Sequence, residues 1–574
     1  MPEKPIARQL AVLIAIACVT ASCNKANDES TAADAPEVAA APTTEPAERP
    51  GSVTEQTHSG GNMPAMNMGD DDADTSAFTD PIDYRPSALG TYAWEITTES
   101  EQAQQYFNQG MQLRWAYNVN EAARSMAEAR RLDPDCAMCF WGEAFGLGSF
   151  LNGGMSALKA PYAHEAIEKA VELADNATDV ERDLIMAARV RYPADYDPDN
   201  RRPVDEAFAA EMAEVYEKYP DNHEVAVVYG VALFMLEERR GYRDINDPDL
   251  IRLHGVLTSV LDEDIRHPGA CHLYIHATES SQEPERALNC APYLSDTVPA
   301  ASHIQHMPSH TYNEVGMWGD AVRANIKAWH SDLMAGEDLA FSYAAGHNLH
   351  MLLFAASFDG QGAIATQAGR DYAKRTNNTM YDMLTLIRFG RFDEAVTRDN
   401  RPDDEVGAAL WDFGFGYASL KEGDAETAIA MRDKTLDFAA TTEKRFRFHP
   451  AGLVVGTAAH ILDGEILWQQ GDLTGAIAAF EEAARIEDSM TYDEPEPLPF
   501  AARHWLGAAL LEVDRPADAE KVYRDELLDH PHNGWSLFGL KAALSAQGKS
   551  DAVVDKDYEA SWARSDVWIT SSKF

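Results

Sequence analysis

Five histidines and a glutamate stand close together in two short stretches of this 574-residue chain. "HLYIHATES" carries His272, His276 and Glu279, and "HIQHMPSHTY" carries His303, His306 and His310. Within each stretch the spacing is three or four residues, which on a helix lines side chains along one face. Imidazoles and a carboxylate presented that way can reach one ion, and such donors suit zinc, copper, iron or nickel. "GHNLH" adds His347 and His350, again three apart. Three or four of these eight residues would ligate, while the others orient them or move protons. The competing reading is a hydrogen-bonded polar surface that recognises a peptide or a glycan. Pro308 falls inside the second stretch, where it kinks a helix and frees a backbone carbonyl near His303 and Ile304.

The elements that must carry these residues are helices. From Leu89 onward strand signatures are missing and helical periods dominate. The 34-residue tetratricopeptide pattern can be laid on the chain repeatedly. Tyr106, Gly110, Ala122, Met126, Ala129 and Pro134 fit its positions 4, 8, 20, 24, 27 and 32. Gly464, Ala476, Phe480 and Ala483 fit a second copy, and Gly507, Ala519, Tyr523 and Pro531 a third. Gly416 and Ala428 mark a looser one. Small residues at 8 and 20 let two helices approach, and the large residue at 24 fills the groove between them. One hairpin cannot bury its own face, so hairpins stack. The expected fold is all-α, an α-solenoid of tetratricopeptide-like hairpins wound into a right-handed superhelix over residues 89–574. Residues 153–267 fit the repeat badly and read as helices with longer connections.

Register then assigns faces. With Tyr312 at position 11 and Ala321 at 20, His303, His306 and His310 take positions 2, 5 and 9. With Ala287 at 20, His272, His276 and Glu279 take 5, 9 and 12. In tetratricopeptide proteins that face of the first helix lines the concave groove, so the resemblance implies a His-rich groove within residues 267–358. His347 and His350 join it if Ala365 takes position 20, and leave it if Ala363 does. The phrases "DPDCAMCFWGEA", "HPGACHLYIHATES", "HIQHMPSHTYNEVGMWGDAV", "GHNLH" and "YDEPEP" resemble a group of exported bacterial tetratricopeptide proteins without established activity. That resemblance implies an architecture and leaves function open. Repeat superhelices mostly bind peptides or partner proteins, so a protein or peptide ligand in the groove is expected.

Lys4 and Arg8 precede a short apolar run, Leu10 to Val19, which reads as an export signal rather than a membrane span. The following "TASC" resembles a bacterial lipoprotein boundary with Cys23 as the lipidated residue, although Thr20 departs from the usual leucine. Ordinary cleavage after Ala21 is the alternative. The expected location is the cell envelope, facing the periplasm and lipid-anchored to the outer membrane. Residues 24–88 read as a disordered tether. Within it Met63, Met66 and Met68, with His58 nearby, are either soft donors for Cu(I) or plain linker composition. A net charge of −46 argues against a nucleic-acid partner and leaves the lipid anchor as the membrane contact.

Cys136 and Cys139 form C-A-M-C without the histidine of a haem-attachment motif. A local disulfide, two buried thiols, or a redox or metal role stay open for them. Cys271 and Cys290 can staple the hairpin that carries His272. His449, His460, His504, His530 and His532 are scattered among good repeat consensus and read as structural. No G-x-S-x-G, H-E-x-x-H, P-loop or dinucleotide fingerprint occurs. Any enzymatic reading therefore rests on the histidines, as a hydrolase with metal-activated water or an oxygen-using oxidase. The expected cofactor is a transition-metal ion: copper, zinc or iron.

Overall fold

The computed structural model describes residues 74–574, apart from 152, 238–240 and 338. Cys23 and the Met63–Met68 segment lie outside the described residues. Among the described residues the chain folds into 26 α-helices, with a single pair of two-residue strands, Arg445–Phe446 and His449–Pro450. It is an all-α solenoid of successive helix hairpins.

The spacing rule of the repeats has a direct physical counterpart. Helices Ala451–Gln469 and Leu473–Glu487 form one hairpin, in which a Cβ at Gly464 would meet Phe480 Cε1 at 2.3 Å. Gly507 stands in the same relation to Tyr523, 2.3 Å from its Cζ, between helices Arg503–Glu512 and Pro516–Asp529. Phe480 and Tyr523 are fully buried there. The glycine is the socket and the ring is the plug. The first hairpin, Glu101–Trp115 and Val119–Leu132, uses Gly110 and Met126 in the same way.

Two departures from expectation matter. The packed chain already includes residues before Leu89: Phe78, Ile82 and Ala88 are buried in the core. The Tyr106 hydroxyl donates to the Ile82 carbonyl (3.2 Å), and the Arg85 amide donates to Gln109 Oε1 (2.9 Å). Residues 74–88 thus belong to the solenoid, because three apolar side chains in that polar stretch find a face to bury. The second departure is the hairpin after His272. Ala287 is buried as its register requires, but the second element is a 3-10 turn, Pro284–Asn289, and a four-residue helix, Ala291–Leu294. Pro284 and Pro292 interrupt the amide ladder there. Residues 153–267 do form helices with longer connections, from Ala160–Glu172 through Pro248–Leu261.

The apolar interior divides in two. One core runs from Phe78 to Met307 and includes Phe341, and the other runs from Tyr312 to Ile569. Pro308 marks the seam. Around it the expected single helix is two, Ser302–His306 and Pro308–Glu314.

Candidate metal centre

The histidines converge at this seam. Helix Pro268–Thr278 starts on an N-cap from His267, whose ring accepts from the Ala270 amide (3.2 Å). It packs closely on Trp115, since a Cβ at Gly269 would lie 2.6 Å from Trp115 Cδ2. That contact brings His272 to the end of helix Glu101–Trp115, where its Nδ1–H donates to the Trp115 carbonyl (2.5 Å). His272 Nε2 then points at His303 Nε2, 3.1 Å away. The break at Pro308 re-aims the chain so that His306 and His310 also meet, Nε2 to Nε2, at 3.1 Å.

Ligand atoms of His272, His276 and His303 all lie within 4.8 Å of one another, as do those of His306, His310 and His347. A third group within the same distance is His276, Glu279, His310 and Glu494. Glu279 links the two trios: Oε1 accepts from His276 Nδ1 (2.8 Å) and Oε2 from His310 Nδ1 (2.5 Å). Glu494 Oε2 stands 3.2 Å from the same His310 Nδ1. His347 is half-buried, and the other ring-bearing members of both trios are buried. His276 Nε2 has no hydrogen-bond partner within the protein.

Burial holds His272, His303 and His306 well below the ordinary histidine range, with neighbouring imidazoles adding to it. These rings are neutral at physiological pH, the form that ligates a metal. His310 goes the other way. Burial alone would lower it, but Glu279 and Glu494 outweigh burial and push it up to about 10. In return His276 and His310 hold the Glu279 carboxyl below the usual carboxylate range, against burial and Glu494.

Seven of the eight expected residues therefore come together, and His350 does not join an ion-sized group. It stacks on Tyr381 with ring centroids 4.3 Å apart and faces Arg447 Nη1 at 3.3 Å. Its register was the open one. Ala365 is buried and Ala363 exposed, so position 20 belongs to Ala365; that reading puts both histidines on the face, and both line the same cavity, but only His347 joins an ion-sized group. The Arg445–Pro450 hairpin and the Asp493–Glu494 segment stand across from the histidines and line with them a partly open cavity of about 230 Å³. His276, His303, His310 and His347 line it on one side, and Tyr117, Tyr343, Tyr372, Tyr381, Phe446 and Phe448 make most of the rest.

Sequence reasoning missed Glu494. It sits in "YDEPEP", between helices Leu473–Glu487 and Arg503–Glu512, far from the histidines in sequence. The signal was an acidic, proline-rich break in otherwise regular repeats. His449 keeps its structural role by anchoring that break, with Nε2 3.0 Å from Asp493 Oδ2, and Arg447 adds an ion pair to Asp493 at 2.7 Å. His530 and His532 likewise pair with carboxylates outside the trios, Glu526 and Asp557. Both possible disulfides are formed, Cys136–Cys139 and Cys271–Cys290.

No protein-family model matches the chain, and no curated protein does. Among solved structures, the APC/C hetero-tetramer Cut9–Hcn1 is 13% identical, with a TM-score of 0.28 over 80% of this chain and 90% of that one. Yeast Tom70 is 13% identical, with a TM-score of 0.25 over 80% and 93%. A human IFIT1 dimer with PPP-AAAA is 12% identical, with a TM-score of 0.26 over 81% and 91%. Likeness at this level says nothing about function, and the hairpin fold rests on the helices of this chain itself.

Proposed function

We propose that this protein is an exported, envelope-anchored helical-repeat scaffold whose buried histidine centre binds a transition metal, with a ligand or partner seated beside it. The observation that carries the metal reading is the pair of Nε2–Nε2 approaches of 3.1 Å, each inside a cluster of buried imidazoles. Two nitrogens on one tetrahedral ion, each at about 2.0–2.1 Å, stand about 3.3 Å apart. Zinc, copper and iron all accept such donors. Elemental analysis of protein purified without a histidine tag tests the reading, and bound metal in stoichiometric amount is the expected result. Substituting His276 and His306 together should remove it while helical content is retained. Protein that stays metal-free after purification with zinc, copper and iron present refutes the reading, and the cavity is then a plain recognition surface for a peptide or protein.

A second reading, a metal-dependent hydrolase or oxidase, is favoured by the cavity. Three protein nitrogens leave a coordination position open, and the 230 Å³ space adjoins the histidines that would hold the ion.

A further inference from the structure

We propose that the centre holds two metal ions rather than one, His272, His276 and His303 binding the first and His306, His310 and His347 the second. This rests on the metal reading above and adds a count, a ligand set for each ion and a shared outer carboxylate.

The ring tautomers carry the assignment. His272 commits its Nδ1–H to the Trp115 carbonyl, while His276 and His310 commit theirs to the two oxygens of Glu279. Each of these rings is left with Nε2 as its ligating atom. In each trio that atom faces inward: His272 towards His303, His310 towards His306. His276 Nε2 is buried and has no protein partner, so a buried lone pair waits for a cation. Ligating histidines ordinarily donate their other nitrogen to a carboxylate or a carbonyl, and three of these six do so.

A single ion does not explain the set. Ligands of one ion at about 2.1 Å can be no more than about 4.2 Å apart. Among the described residues, no ion-sized group contains more than three histidines. In the one four-membered group, His276, Glu279, His310 and Glu494, both Nδ1 atoms are already paired with Glu279, and that of His310 with Glu494 as well. This group is the outer shell joining the two ions. With all-nitrogen donors the ions are copper or zinc, since iron sites of this openness usually include a carboxylate ligand. Two histidines from each trio also line the cavity, so the open positions of both ions face one space.

The test uses the full-length, untagged protein, stripped by a chelator and reloaded with zinc, because thioethers in the tether select Cu(I). Zinc per chain is counted after gel filtration. Two equivalents are expected for the wild type, and one each for His303→Asn and His347→Ala. One equivalent in the wild type overturns the pair and leaves the metal reading standing, whereas none overturns both. Loss of all zinc in either folded variant also overturns the pair. If His303→Asn does not fold, the half-buried His347→Ala and the wild-type count decide.

Discussion

Replacing Glu279 with leucine should weaken one trio and largely spare the other. The carboxylate is buried and accepts from His276 Nδ1 at 2.8 Å and from His310 Nδ1 at 2.5 Å. Leucine keeps about the same volume and offers no acceptor. His310 has a second acceptor in Glu494, at 3.2 Å, so its ring keeps its orientation. His276 loses the group that fixed its tautomer and turned Nε2 inward. Removing an outer-shell partner of a metal-bound histidine typically costs about 10–100-fold in affinity, or about 1.4–2.7 kcal/mol. The expectation is a loss of that size at the trio of His272, His276 and His303, and a smaller loss at the other. Competition against a chromogenic chelator for zinc measures both steps, with circular dichroism confirming the fold. Unchanged affinity at both trios in a folded variant would refute the role given to Glu279.

The metal-free protein should release about one proton when the second trio fills near pH 7.5, because His310, pushed up to about 10, must give up its Nε2 proton. Calorimetry in buffers of different ionisation enthalpy detects it, and heats independent of buffer would contradict the assignment. The same group sets a sign for stability. Its folded value lies above the ordinary 6.5, so its contribution is complete below pH 6.5 and is lost as pH rises through about 10. The melting temperature of the stripped protein should fall across that interval. Gly464→Ala places a Cβ 2.3 Å from Phe480 Cε1, an overpacking expected to cost about 1–3 kcal/mol. Adding Phe480→Leu should restore part of the melting temperature, and a stable single variant would disprove the socket. Serine at both Cys271 and Cys290, 19 residues apart, should cost about 3 kcal/mol and be seen as a lowered thermal midpoint. Cys23→Ser should move the protein from the membrane to the soluble periplasmic fraction, and unchanged fractionation would sink lipidation.

Much of the centre was legible because helix periodicity and repeat register are local rules. Positions 2, 5, 9 and 12 placed two histidine groups on neighbouring helices thirty residues apart, and the structure brings them within ligand distance. Pro308 marked the break from sequence alone, since it cannot donate to the preceding turn. The opposite wall of the cavity was not legible. Arg447 and Glu494 arrive from connections between distant helices, and no spacing rule ties a loop to a groove. Nor did register predict the stunted second element after His272, where prolines override the helical pattern. The sequence boundary at Leu89 failed for a similar reason. Phe78 and Ile82 are too few to form a hydrophobic period, yet each finds a pocket.

The seam at Pro308 changes what kind of object the solenoid is. A stack of hairpins is elastic, because each unit leans only on its neighbours and small rotations accumulate along it. Here the two apolar cores meet at one joint. His272, His276 and His303 hang from one side of it, and His310, His347 and Glu494 from the other. Glu279 reaches across to His310 through a 2.5 Å bond that an ångström of stretch would break. The molecule is thus a spring with a clasp between its coils. A metal bound at the centre would stiffen the joint further, and a pull or a partner that bends the coils must first work against the clasp.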